Sequence, residues 1–164
     1  MRRSLAFAVA LGTAGALAFT AAAPAAVSLS VGSATVSFAS TLTGADTASS
    51  YPVSLTASNS GSTQHNSWYL TVTSTTFTSG SHVLPTAATS ITGVTCTAAC
   101  AANSVSYPVG VPAAPTAPTA VTFYNSAAAN GTWTVTPTFA TTVPGNSFAG
   151  TYTSTITMAI VSGP

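Results

Sequence analysis

Charge is almost missing from this sequence. Of 164 residues only Arg2, Arg3 and Asp46 are formally charged. Nucleic-acid binding needs Lys and Arg to neutralise phosphates, and no cation occurs beyond position 3, so that class is excluded. Helix formers such as Glu, Lys, Gln and Arg are equally scarce, which excludes a helical bundle. Disorder goes with low hydrophobicity and high net charge; this chain is 46 % hydrophobic with a net charge of +1. Paired carboxylates for glycoside hydrolysis cannot be drawn from one acidic side chain. Around Ser147 the sequence reads Gly145-Asn146-Ser147-Phe148-Ala149, without the final glycine of a nucleophile elbow. Phosphate-cradling loops and dinucleotide fingerprints are absent. His65 and His82 lie far from each other and from both cysteines, without metal-ligand spacing. No catalytic residue, no metal site and no cofactor is therefore assigned, and the chain is not expected to be an enzyme.

Hydroxyls fill the place of charge. Ser and Thr make up about a third of the residues, which points to a neutral, hydroxyl-covered surface on a Thr-, Val- and aromatic-bearing β protein. Apolar residues recur at period two. Val27, Leu29 and Val31 alternate with serines, and Val36 and Phe38 follow in a new phase. Tyr51, Val53, Leu55 and Ala57 form another row, as do Trp68, Leu70 and Val72. Val105, Tyr107, Val109 and Val111 repeat the pattern, and so do Val121 with Phe123 and Trp133 with Val135. Last come Tyr152, Ser154, Ile156, Met158 and Ile160, opposed by Thr151, Thr153, Thr155 and Thr157. This is the signature of half-buried strands, apolar inward and Thr outward.

Turn signals punctuate these rows at Thr43-Gly44-Ala45-Asp46, Asn59-Ser60-Gly61, Ser79-Gly80, Asn130-Gly131 and Pro144-Gly145-Asn146. The fold class expected is all-β, an antiparallel β-sandwich with Greek-key, immunoglobulin-like connections. Gly110 to Pro118, with three prolines, is expected to cross from one sheet to the other. Pro137 is expected to push the strand around Trp133 toward an edge or an early end.

Residues 1–25 read as a signal peptide. Met1-Arg2-Arg3 is a short basic start, Leu5 to Phe19 is uncharged and mostly apolar, and small residues follow to Ala26. Pro24 disfavours a cut directly after Ala23, which leaves a site between Ala22 and Ala26. The expected product is an exported chain, 26–164, forming one domain with no transmembrane segment. Cys96 and Cys100 are then expected to form a disulfide, as paired cysteines do outside the cell. A loop of about five residues adds only about 2 kcal/mol on the loop-entropy model. Without both arginines the exported chain keeps Asp46 as its one charged side chain, so self-association or attachment to a solid surface is open to it.

Two stretches resemble a known family. Trp68-Tyr69-Leu70 opens a Thr-rich strand, and far downstream Tyr152, Ile156, Met158, Ile160 and Pro164 recur at fixed spacing. Together they resemble the WxL domain of Gram-positive surface proteins, which has a Trp-x-Leu motif and a later Tyr-x-x-x-Leu-x-Trp-x-Leu-x-x-x-Pro motif. Ile156 and Ile160 stand at the Leu positions, and Met158 stands where the family has Trp. The resemblance implies a cell-surface protein held non-covalently on the wall, with peptidoglycan or another wall polymer as partner. Trp68, Leu70, Tyr152, Ile156, Met158, Ile160 and Pro164 would then be either ligand contacts or core residues. Met158 lacks the flat aromatic face that stacks on a sugar. A second reading, resting on the missing charge, is a self-assembling subunit of a surface layer, filament or matrix.

Overall fold

A computed structural model describes residues 3–11, 27–32, 35–60, 67–97, 100–127 and 130–163. Its strands in chain order are β1 (Arg3–Leu11), β2 (Val27–Val31), β3 (Thr35–Leu42), β4 (Thr47–Pro52) and β5 (Leu55–Asn59). Next come β6 (Trp68–Thr75), β7 (Thr78–Ser79), β8 (His82–Val83), β9 (Thr89–Thr97), β10 (Val109–Gly110) and β11 (Ala113–Ala114). β12 (Val121–Ser126), β13 (Gly131–Val143) and β14 (Thr151–Ser162) complete the set. No helix occurs among the described residues, in keeping with the shortage of helix formers. One sheet runs β11-β6-β14-β1-β3, with β12 also on β6 and the β7–β8 hairpin beside β14. The other runs β10-β9-β13-β5-β2, with β4 also on β13. Pairing is antiparallel except at β1–β14 and β11–β6. The chain is an all-β sandwich.

Alternation explains why these segments are strands and which side they bury. Along β14, Tyr152, Ser154, Ile156 and Met158 are buried, while Thr151 and Thr153 are exposed and Thr155 and Thr157 half-buried. In β6, Trp68, Leu70 and Val72 face the core. The opposing sheet answers with Leu55, Ala57, Ile91, Val135 and Phe139, all buried. Trp68 and Trp133 meet at 5.2 Å between ring centroids, joining β6 to β13, and Tyr124 lies 5.5 Å from Trp68. Such aromatic contacts each add about 0.5–1.5 kcal/mol beyond the area they bury. Outward rows are tied by hydroxyls: Ser58 and Thr132 approach to 3.0 Å on neighbouring strands. Hydroxyl pairs of this kind are ordinary cross-strand stabilisers.

The expected crossing near Gly110 is present. β10 pairs with β9 in one sheet, and three residues later β11 pairs with β6 in the other. Two expectations are corrected. Pro137 does not end its strand or force it to an edge: β13 passes through it and lies between β9 on one side and β4 and β5 on the other. The Pro137 carbonyl accepts a bond from the Val53 N–H at 3.0 Å. A strand residue directs its N–H and C=O to the same neighbour. The missing donor therefore falls at the seam where β4 has ended and β5 has not begun, so no ladder bond is lost. The row Val105, Tyr107, Val109 and Val111 is also not one strand; only Val109–Gly110 is paired. Side chains replace the ladder there. Asn103 Oδ1 accepts from the backbone of Val105 and Asn125, and the Tyr107 hydroxyl donates to the Phe123 carbonyl at 2.7 Å.

Candidate functional site

Residues carrying the family resemblance are brought together, but as core. β6 and β14 are neighbours, with Leu70 opposite Ile160, Val72 opposite Met158 and Trp68 opposite Ser162. Trp68, Tyr152 and Ile156 are each 1 % exposed, and Leu70 is fully buried. Met158 is buried beside them, and Ile160 is half-buried against the same cluster. Pro164 lies outside the described residues, as do His65 and the proposed cleavage region. Cys96 and Cys100 are bonded to each other, their Cα atoms 6.1 Å apart. Among the described residues no three His, Cys, Asp or Glu side chains gather as a metal site would require.

Two surface grooves border these strands. The first lies at the start of β6, where Trp68 and Tyr69 meet Ser104, Asn125 and Ser126. Two of its polar residues are engaged with each other. Asn125 Oδ1 accepts from the Ser104 N–H at 2.8 Å, and its Nδ2 donates to Ser104 Oγ at 2.6 Å. Asn103 Nδ2 donates to the Tyr107 hydroxyl nearby, and burial raises Tyr107 above its ordinary value. These bonds lock a loop onto β12.

The second groove is built differently. Two turns form it: the β7–β8 hairpin and the β13–β14 connection. Gly80 has φ +58, the left-handed conformation that tight hairpins need, and Leu84 N–H donates to the Phe77 carbonyl at 3.0 Å to close that end. Across from it, Ser147 N–H bonds back to the Pro144 carbonyl at 3.0 Å. Asp46, the one acidic side chain, accepts the Gly145 N–H at 2.9 Å and so ties this turn to the 43–46 turn. Tyr152 donates its hydroxyl to the Phe148 carbonyl at 3.3 Å. Phe148 is thereby held outward, 60 % exposed, with its ring stacked on His82 at 4.0 Å and 17°. Val83, 57 % exposed, lines the same groove. Around them stand Ser81, Asn146 and Ser147, whose side chains make no hydrogen bond to another described residue.

That combination is an exposed ring, an apolar neighbour and free hydroxyl and amide groups. It suits a ligand with apolar faces and many hydroxyls. The sequence pattern shows only that His82 lacks metal-ligand spacing and that Ser147 lacks the setting of a nucleophile. Phe148 carried a usable signal: it is a large apolar residue in a turn of Pro, Gly, Asn and Ser, off every alternating row. No protein-family model matches the chain, and no curated protein matches it in sequence.

Proposed function

We propose that this is an exported, non-catalytic surface protein that holds to a cell-wall polymer, peptidoglycan or a related glycan, through the Phe148 groove. The observation that carries this reading is the outward Phe148–His82 stack beside unengaged Ser81, Asn146 and Ser147. A sugar ring presents C–H groups on its face and hydroxyls at its rim, which match an aromatic plate bordered by amide and hydroxyl groups. The WxL-like motif strands support the groove from beneath: Tyr152 is both a motif residue and the anchor of the Phe148 carbonyl. Met158 in place of tryptophan does not weaken this version, because its side chain is buried. Export follows from the leader reading of residues 1–25. The test is retention on purified sacculi. Phe148→Ala should lower retention about tenfold, equivalent to about 1.4 kcal/mol, with an unchanged melting temperature. Equal retention of the wild-type chain and Phe148→Ala would place the contact elsewhere.

A further inference from the structure

The strand β1 has a position that its sequence does not announce. It lies between β14 and β3, parallel to the first through six residue pairs and antiparallel to the second through eight. β3 pairs with no other strand among the described residues, so β1 is the bridge that holds β3 in its sheet. The other edge of β14 is already in use there: Thr153 pairs with Thr78, and the Thr155 N–H donates to Thr75 Oγ1. Register sets Phe7, Val9 and Leu11 opposite Tyr152, Ser154 and Ile156, the buried row of β14. The β1 sequence alternates Leu5, Phe7, Val9 and Leu11 with Ala6, Ala8 and Ala10. It is a strand of alternating large and small residues in a strand-wide slot.

We infer that the edges of β14 and β3 form an acceptor site for an extended, uncharged peptide strand, large residues alternating with small, supplied by a second polypeptide when residues 3–11 are not in place. Strand addition gains affinity from main-chain hydrogen bonds and specificity from alternate side chains. Residues 3–11 fall within the stretch that reads as a removable leader, so the exported chain would carry the slot without its occupant. Only this timing depends on the leader reading; the acceptor edge itself does not. Natural sheets guard an open edge with Lys, Pro or inward charges. Beyond position 3 this chain has no Lys or Arg, and its one acidic residue, Asp46, sits in a turn tied to Gly145. Nothing on these two edges carries a charge that would repel an incoming strand.

The test starts from the folded full chain carrying a protease site within residues 21–26, cut only after folding. A fluorescent synthetic peptide of residues 4–12 with blocked ends, which carries no charged side chain, is then offered, beside a scrambled peptide of the same composition without the alternation. Either retention of the cut segment or its replacement by the labelled peptide at one per chain is expected, with no uptake of the scrambled peptide and no uptake before cutting. Loss of the cut segment without uptake would overturn the acceptor site. A Ser37→Cys/Thr153→Cys pair reads the competing outcome, closure of β3 directly onto β14. Both residues are level with Ala8, so their Cα atoms are about two strand spacings, about 9.6 Å, apart. A disulfide needs less than about 7 Å. Its formation after cutting would mean that the sheet heals within one chain and takes no partner.

Discussion

Trp68 and Phe148 show how differently two aromatic residues of one sandwich can serve it. Trp68 is buried against Trp133 and Tyr124, and its indole N–H finds no acceptor among the described residues, so its contribution is volume and contact. Trp68→Ala should therefore cost about 3–5 kcal/mol, the range for removing a large buried aromatic, read as a fall in melting temperature. Whatever fraction stays folded should bind sacculi as the wild type does. Phe148→Ala should do the reverse, leaving the melting temperature within a degree or two and lowering retention. Met158 illustrates the same division: a flexible thioether fills a buried slot opposite Val72, at the position where the motif it resembles has tryptophan. Three tyrosines set an alkaline limit. Burial raises Tyr51 above its ordinary pKa of 10.0, partly opposed by the neighbouring Thr141 hydroxyl; burial also raises Tyr107 and Tyr124. A phenol whose folded pKa is raised stabilises fully below the unfolded value, and that share is lost as pH rises through the folded value. Melting temperature should thus be level between about pH 8 and 9.5 and fall above about pH 10, with phenolate absorbance rising together with unfolding. Phenolate appearing well before unfolding would mean that these rings are more open than their burial indicates.

The turns decide what the strands present. Gly145 packs so closely on Gly44 and Ala45 that a Cβ there would collide with backbone, and its N–H is held by Asp46. Gly145→Ala should destabilise by about 1–3 kcal/mol through overpacking and loosen the Phe148 turn, so that both melting temperature and sacculus retention fall. The Cys96–Cys100 bond acts on a smaller scale. Closing so short a loop adds about 2 kcal/mol, and replacing both residues by Ser should leave a folded protein with Phe148-dependent binding intact. The strands were legible because Thr alternates with mostly apolar residues, as from Thr151 to Met158. Gly44 and Gly80 were legible as turn residues for the same local reason, both having positive φ. Pro137 misled because whether its missing N–H matters depends on two other strands ending opposite it, which no local pattern encodes. Val105 and Tyr107 misled because side-chain bonds stand in for a neighbouring strand: the Val105 N–H goes to the nearby Asn103 side chain, and the Tyr107 hydroxyl to the distant Phe123 carbonyl. The Phe148 groove was hidden for a third reason. Its two turns are about sixty residues apart, and only the pairing of Thr78 with Thr153 brings them side by side.

For the molecule as a whole, the lack of charge limits how it can attach to anything. Wall polymers carry carboxylates and often phosphates, and Lys and Arg are the usual means of holding them. Beyond position 3 neither residue type occurs in the chain. What remains is hydrogen bonding by hydroxyls and amides, together with aromatic and apolar contact. Salt separates these forces. Screening shortens the reach of charge–charge attraction from about 8 Å at physiological ionic strength to about 3 Å at 1 M. Apolar burial is instead strengthened by excluded salts such as sulfate. Retention on purified walls should therefore be nearly the same in low salt and in molar sodium chloride, and should not fall in ammonium sulfate. Strand addition at the β14–β3 slot obeys the same rule, because main-chain hydrogen bonds and apolar rows carry it. Salt resistance thus reports the kind of force, and Phe148→Ala and the labelled peptide report which surface supplies it. Release of most of a chain comprising residues 26–164 by moderate sodium chloride would mean that a charged adaptor stands between it and the wall, since those residues include no Lys or Arg.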